Sequence, residues 1–373
     1  MPDPATSDTS ASGSRPRVMM ALSGGVDSAV GLLLLKEQGY PVEALFMKNW
    51  EEDDADGYCA AAQDLADAER VCARLGVALH TVNFSFEYWE NVFTRFLDEY
   101  RSGRTPNPDV LCNREVKFQA FVEHARALGA ECIATGHYAR IARHGDEYRL
   151  LAGHDADKDQ SYFLYMLDQA QLRSALFPIG ALHKRAVRRM AREAGLETHD
   201  KKDSTGICFI GERPFREFLA RFLTARGGAI ESVDGVRIGR HHGLLHYTIG
   251  QRQGLGIGGR TGSSGEPWYV VDKDLERDTL VVAQGRNHPA LCARELLASE
   301  LHWTRGRAPA LPLRCEARIR YRQPPQRCQV LAADGGCRVR FDAPQWAIAP
   351  GQSVVFYARD ECLGGAIIDS VRR

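Results

Sequence analysis

Several things are missing from this 373-residue chain, and each absence narrows what it can be. No apolar stretch approaches the roughly 20 residues that a helix needs to span a bilayer. There is no charge imbalance: 48 Lys and Arg stand against 48 Asp and Glu, so no global field announces a nucleic-acid partner. The ten cysteines include no Cys-x-x-Cys pair, which argues against a structural zinc or an iron–sulfur cluster. The stretch 1–16 is rich in Ser, Asp and Pro and lacks a hydrophobic segment; it reads as a disordered leader and not as a signal peptide. A secreted disulfide framework is therefore not expected, and most cysteines should be buried small hydrophobes of a cytoplasmic protein. No internal repeat is visible. At about 150 residues per domain, the length suggests two or three domains.

What is present begins with Ser23-Gly24-Gly25-Val26-Asp27-Ser28, set between an apolar run (Val18 to Leu22) and an apolar-periodic one (Ala29 to Leu35). A buried strand runs into a glycine turn, and the turn opens a helix that Gly39 stops. The first N–H groups of a helix lack intrahelical partners and sit at the positive end of its dipole, which makes such a turn an anion site. Gly24 and Gly25 let backbone approach an oxygen cage, and Ser23 and Ser28 add hydroxyls. No Gly-Lys-Ser/Thr follows, and the spacing is not Gly-x-Gly-x-x-Gly. The turn resembles the pyrophosphate loop of the ATP pyrophosphatases, which adenylate a carbonyl oxygen; that resemblance implies ATP chemistry. An ordinary capped glycine turn is the bland alternative, and the order strand, turn, helix weighs against it.

Strands and helices alternate to about residue 140: Val42 to Phe46, a helix from about Cys59 to Leu75, Val77 to Val82, an amphipathic segment Tyr88 to Tyr100, a helix from about Cys112 to Leu128, then Cys132 to Thr135. That order predicts an α/β doubly wound parallel sheet with ligands at the carboxyl ends of its strands, where Ser23, Met47 and Gly136 fall. Helical pattern persists through Ala186 to Gly195 and Pro214 to Leu223. From Trp268 short strand-like runs dominate, as in a β-barrel, with Ala290 to Ser299 the one helical candidate. The expected division is a catalytic domain over 17–211, a small β-rich central domain over 212–285 and a C-terminal β-barrel over 286–373. Gly254 to Gly259 is read as a turn of the central domain, since no helix pattern follows it.

Charge becomes uneven near the end. From Leu291 onward there are 13 Arg, no Lys and 8 acids. Arg314, Arg318, Arg320 and Arg322 alternate along one expected strand, Leu313 to Tyr321, so they would share a face able to clamp phosphates. A solvated strand face is the competing reading. Cys112 follows Thr105-Pro-Asn-Pro-Asp-Val-Leu and is expected to begin a helix, whose dipole would enrich its thiolate. Cys208 lies in a glycine-marked loop preceded by Lys201 and Lys202, cations that would also favour a thiolate. Asp27 has two open roles, helping to hold a metal or capping its helix. The five acids from Glu51 to Asp56 read as a solvated loop, and His80, His124 and His241-His242 lack ligand spacing, so no protein metal site is assigned.

Longer blocks carry a closer likeness: Met47-Lys-Asn-Trp-Glu-Glu-Asp-Asp54, Gly103-Arg-Thr-Pro-Asn-Pro-Asp-Val-Leu-Cys-Asn113, Ala134-Thr-Gly-His-Tyr138, Lys158-Asp-Gln-Ser-Tyr-Phe-Leu164, Asp203-Ser-Thr-Gly-Ile-Cys-Phe-Ile-Gly-Glu212, Leu255-Gly-Ile-Gly-Gly259, Trp268-Tyr-Val-Val-Asp-Lys-Asp274 and Pro350-Gly-Gln-Ser353. From about Arg17 to Ile368 the chain resembles the bacterial tRNA-specific 2-thiouridylases. The resemblance implies an enzyme that uses ATP and Mg²⁺ to adenylate O2 of the wobble uridine of Lys, Glu and Gln tRNAs and then replaces that oxygen with sulfur. It implies ATP binding by Ala21, Leu22, Ser23, Gly24, Gly25, Val26, Asp27, Ser28, Met47 and Gly136. Cys208 would carry a persulfide from a sulfur-relay protein, with Cys112 as its nucleophilic partner. The pair would either form a disulfide and release hydrosulfide or assist direct attack. Asn107, Pro108 and Asp109 would contact the target base, Asp109 acting as acid or base. His137, Lys158, Asp159, Gln160, Arg320, Tyr321 and Gln352 would touch tRNA, and the protein would work as a monomer. Another carbonyl-adenylating enzyme, or an RNA-binding relative without the chemistry, are the alternatives.

Overall fold

The computed structural model describes residues 15–51, 60–203, 215–258 and 265–372. Residues 1–14 of the leader, the acids beyond Glu51, Cys59, the 204–214 segment with Cys208 and the boundary near Gly211 lie outside the described residues. In chain order the first unit runs β1 (Val18–Ala21), α1 (Val26–Glu37), β2 (Val42–Lys48), α2 (Ala60–Leu75), β3 (Leu79–Asn83), helical stretches over 85–101 and 108–127, β4 (Cys132–Ala134), a hairpin of β5 (Ala139–His144) and β6 (Glu147–Ala152), β7 (Ala175–Leu176) and α3 (Lys184–Glu193). Strands β3, β2, β1, β4 and β7 lie in that order and pair in parallel throughout. This is the expected doubly wound sheet.

Alternation explains why β1 and β2 are apolar along their whole central length. Val18, Met20, Ala44 and Phe46 enter the core shared with α1, α2 and α3. Met19, Ala21, Leu45 and Met47 enter the opposite core, formed with the 85–101 and 108–127 helices. A strand covered on both faces has no polar side, so its period-two signal vanishes and a continuous apolar run remains.

The middle sheet has the order β10, β11, β8, β9, with β8 (Ala229–Ser232), β9 (Arg237–Arg240), β10 (Trp268–Asp274) and β11 (Thr279–Gln284). Leu255 and Ile257, from the glycine-marked turn, are buried in its core as apolar plugs. Six further strands close into a barrel: β12 (Cys292–Trp303), β13 (Leu313–Arg318), β14 (Gln326–Ala333), β15 (Gly336–Trp346), β16 (Ser353–Ala358) and β17 (Glu361–Arg372). Closure follows because β12 pairs with both β15 and β17.

Two expectations are corrected here. Ala290 to Ser299 is not a helix: a single tight turn at Pro289–Leu291 leads into β12, whose Ala293, Leu296 and Ala298 alternate with Ile368 and Val339 in the barrel core. The arginine strand also breaks. β13 ends at Arg318 and a turn follows, closed by Gln323 N–H donating to Arg320 O at 3.1 Å, so the four arginines do not share one strand face. The β5–β6 hairpin was not anticipated. Its edge joins the barrel, Leu151 pairing with Glu361 and Leu150 with Cys362.

Candidate active site

The phosphate turn is built by its own backbone. Ser23 N–H donates to Ser28 Oγ at 3.2 Å, and Ser28 Oγ donates to Gly25 O at 3.1 Å. Gly24 holds a φ of +72°, and a Cβ there would overlap the Asp64 carbonyl of α2. Gly25 is different: a Cβ would meet only Ser23 Oγ, at 3.5 Å. Gly25 is also the N-cap of α1 and supplies no side-chain cap, so the first N–H groups of the helix remain available to an anion. At the end of β4, a Cβ on Gly136 would stand 2.8 Å from Ser28 N, which is why the strand end and the turn can abut. The turn, Met47 and Gly136 thus gather at the carboxyl ends of β2, β1 and β4, as the sequence predicts.

Paired charges surround this turn. Lys184 Nζ contacts Asp27 Oδ1 and Oδ2 at 2.8 and 2.7 Å, and Tyr138 OH donates to Asp27 Oδ1 at 2.7 Å. Lys184 also reaches Asp203 at 2.8 Å, beside Lys158 at 2.6 Å and Arg188 at 2.8 Å. Burial works to raise the Asp203 carboxyl, but hydrogen bonds and charge from Lys158 and Lys184 hold it down to about 2. Asp27 therefore sits in the first turn of α1 with its carboxylate committed to Lys184 and Tyr138. It does not cap the helix, whose N-cap is Gly25. Among the described residues no three ligating side chains converge.

Lys201 lies against the phosphate turn. Its ammonium donates to Gly24 O at 3.1 Å and to Asp64 at 2.7 Å, and also contacts Asp67. Burial pulls its amine down, yet the two carboxylates raise it further, so the charge is fixed beside the phosphate turn. Sequence reasoning missed Lys184, Arg188, Asp64 and Tyr138 as parts of this site. Lys184 opens a basic helix and reads as solvated, whereas it is buried; only its partner Asp27 gave a signal.

The second cluster is the segment bearing the expected base contacts. Asn107 is the N-cap of a helix that starts with Pro108 at its first position, so Cys112 is its fifth residue and not its beginning. The dipole effect fades within the first turn, so the expected lowering of the Cys112 thiol by a helix terminus has no geometric basis. Cys112 is fully buried among Val110, Leu111 and Val116, where the helix widens to an i→i+5 pitch over Cys112–Ala120. Such widening recurs at functional sites. Asn107 reaches the Tyr162 hydroxyl, and Tyr162 donates to Ser353 O at 2.9 Å. Buried thiols elsewhere fit the sequence expectation: burial pushes Cys72 up to about 11 and Cys337 up to about 12.

The residues expected to touch tRNA are brought together, but chiefly as a joint between the α/β unit and the barrel. Asp159 is buried and pairs with Arg318 at 2.7 Å, while Arg318 lies over the Tyr357 ring at 4.7 Å. Gln160 and Tyr138 exchange hydrogen bonds at 2.8 and 2.9 Å. Tyr321 packs on Phe163 with centroids 4.5 Å apart and donates to Lys158 O at 3.3 Å. Arg320 donates to Ile249 O at 3.0 Å and Ala347 O at 2.9 Å. Gln352 donates to Thr105 O at 2.8 Å and Pro106 O at 3.2 Å. His137 is buried against Thr135 Oγ1 at 2.7 Å; burial and the Lys117 charge push it well below the usual histidine range, so it is neutral. Of the alternating arginines only Arg314 and Arg322 are exposed. Arg318 and Arg320 make internal bonds, and the single strand face expected for the four arginines is absent.

A parallel sheet with an uncapped glycine turn at its centre, followed by a middle β sheet and a closed barrel, defines a three-part enzyme of the nucleotide-binding α/β class. Family models match in that order: a tRNA methyl transferase HUP domain over 16–212, a tRNA methyl transferase PRC-barrel domain over 216–284 and an aminomethyltransferase beta-barrel domain over 293–368. The chain is 58% identical over 357 residues to the tRNA-specific 2-thiouridylase MnmA of Pseudoalteromonas translucida, covering 95% of this chain and 98% of that protein. It is 59% identical over 358 residues to the protein of the same name from Methylococcus capsulatus, covering 95% and 96%. The chain belongs to the tRNA-specific 2-thiouridylase family.

Proposed function

We propose that this protein is a tRNA-uridine 2-sulfurtransferase that converts the wobble uridine of tRNA to 2-thiouridine at the expense of ATP. The observation that carries the reading is the phosphate turn, uncapped and open above Gly25, in a chain of this family. The first N–H groups of α1 would hold the pyrophosphate, and Lys201, fixed on Gly24 O, would bring a cation to its edge. Magnesium, when bound on the triphosphate, supplies charge neutralisation to the departing pyrophosphate.

The uracil O2 attacks the α-phosphorus of ATP and pyrophosphate leaves. That step turns a poor leaving oxygen into AMP. Cys208 carries the outer persulfide sulfur, delivered by a sulfur-relay protein. The Cys112 thiolate attacks the inner Cys208 sulfur, a Cys112–Cys208 disulfide forms and hydrosulfide is released to displace AMP from C2. In the variant, the outer persulfide sulfur attacks C2 directly and displaces AMP, and the Cys112 thiolate then attacks the inner Cys208 sulfur, freeing 2-thiouridine and forming the same disulfide. In both cases an external thiol must reduce the disulfide before the next turnover. Asp109 would move the proton, and Asn107 and Pro108 would border the base, flipped out of its stack. Lys, Glu and Gln tRNAs are the proposed acceptors and the working form a monomer in the cytoplasm; among the described residues no helix is long and apolar enough to cross a membrane.

Incubation with unmodified tRNA, ATP, Mg²⁺ and a persulfide donor, followed by mass analysis of the nucleosides, tests the reading. One AMP should form per 2-thiouridine. AMP formation without any thiolated nucleoside would favour a different carbonyl-adenylating enzyme.

A further inference from the structure

The turn 102–107 leads into the helix of Asp109 and Cys112, and it is gripped largely from outside the α/β unit. Thr105 N–H donates to Pro350 O at 2.9 Å, and Thr105 Oγ1 lies 3.4 Å from Thr248 Oγ1. Arg104 bridges Glu99 at 2.8 Å and Asp369 at 3.3 Å. At the near end Gly103 turns with φ +71°, and a Cβ there would strike Leu275 Cδ2 at 2.7 Å. The Gly103 carbonyl accepts from Lys273 Nζ at 2.9 Å.

Lys273 is the odd member of this grip. Among the described residues no carboxylate lies within ion-pair distance of it. Asp272 accepts the Lys273 backbone N–H at 2.9 Å, and Asp274 is taken by Arg277 at 2.6 Å. Burial alone pushes its amine down to about 8, so the fold keeps an ammonium where water would hold it better. A neutral long side chain would serve packing equally well. A bulge between Val270 and Asp272 shifts the β10 register just before Lys273, a device that re-aims the side chains that follow it. The motif Trp268-Tyr-Val-Val-Asp-Lys-Asp274 otherwise has no part in the proposed chemistry.

We propose that Lys273 is a positioning residue for thiolation: from the middle sheet it clamps the Gly103 carbonyl and so sets where Asn107, Asp109 and Cys112 stand against the target base. The proposal rests on the thiolation reading for its reaction, though not for its contact. A rigid helix transmits a shift at its entry to every residue it carries, and a misplacement of about 1 Å can cost about a hundredfold in rate. Gln352 and Pro350 still hold the far end of the turn when Lys273 is lost, so the effect should be displacement and not unfolding.

Lys273→Met keeps the unbranched stem and removes the donor, and Lys273→Arg keeps a charged donor. Amide exchange of the free protein should quicken about fivefold across 102–107 in Lys273→Met and stay unchanged across 18–28. Thiolation kcat should fall about tenfold, with tRNA and ATP KM within about twofold, and Lys273→Arg should recover most of the loss. Unchanged exchange and kcat would overturn the proposal. So would a loss shared by every step, parallel to a lower Tm and unrescued by arginine, because that is the pattern of a merely structural lysine. Wild-type enzyme that makes no 2-thiouridine would overturn the thiolation reading and the catalytic half of the proposal, while faster exchange in the variant would still record the clamp.

Discussion

The phosphate turn and the 103–112 segment both stand at the carboxyl side of one parallel sheet, but they are held in opposite ways. Every partner described for the turn belongs to the α/β unit: Ser28, Asp64, Tyr138, Lys184 and Lys201. The partners of 103–106 come mostly from elsewhere, Thr248 and Lys273 from the middle region and Pro350, Gln352 and Asp369 from the barrel. The phosphate turn is thus held from within its own unit, whereas the segment proposed to contact the base depends on correct docking of the later sequence. Adenylation geometry and sulfur-transfer geometry should accordingly be separable by mutation.

The largest effect that would sharpen this contrast is at the thiols. Cys208→Ser should abolish 2-thiouridine while ATP-dependent adenylation of tRNA continues, as read by pyrophosphate release. Cys112→Ser should also fail to thiolate yet still accept labelled persulfide sulfur; a variant that cannot be loaded would reverse the division of labour. Next come the two glycines. Gly25→Val should leave Tm nearly unchanged, because the space above Gly25 is open, but lower ATP turnover at least about a hundredfold by filling the place of the pyrophosphate. Gly24→Val should instead lower Tm sharply, since φ +72° and the Asp64 carbonyl both forbid a Cβ. Equal melting of the two variants would break the distinction.

A third effect lies at the joint between the two ends. Arg318→Ala leaves the Asp159 carboxylate buried without its cation, and such losses cost about 3–5 kcal/mol, measurable by urea unfolding. Arg322 is exposed, so Arg322→Ala should leave stability alone and, if it meets a phosphate, flatten the salt slope of tRNA binding by about 0.7 to 0.9. The smallest effect concerns pH. The folded Lys273 value of about 8 lies below the roughly 10.4 of an unfolded lysine, so the unfolded chain binds the extra proton between them. Wild-type stability gains from this group as pH rises through that interval. Lys273→Met lacks the penalty, so its Tm should exceed that of wild type below pH 8 and the difference should shrink toward pH 10. A pH-independent difference would mean the amine is not held out of water.

The sheet, its order and the phosphate turn were legible in the sequence because local rules specify them: a doubly covered strand is a continuous apolar run, and a glycine turn before a helix has few other uses. The arginine clamp was misread for a related reason. Alternation predicts a shared face only while a strand continues, and nothing local in Arg318-Ile-Arg-Tyr-Arg322 marks the turn that ends it. Whether Arg318 meets water or Asp159 is decided 159 residues away. Cys112 is displaced by one helical turn from its expected place because the helix was expected to begin after the Thr105–Leu111 segment, although proline is at home in the first position of a helix.

The pairing of β6 with β17 also has a temporal side. Leu151 finds its partner in Glu361, so the hairpin edge emerges from the ribosome about 210 residues before the strand that covers it. At roughly 5–20 residues per second, the nascent enzyme carries an uncovered sheet edge for about 10–40 s. Unpaired edges recruit other strands, and during that interval the most accessible ones belong to neighbouring copies on the same message. Strand β17 therefore acts as a built-in cover for a part of the sheet made much earlier, and a ribosome that stalls before it leaves a chain with its phosphate turn made and its edge open.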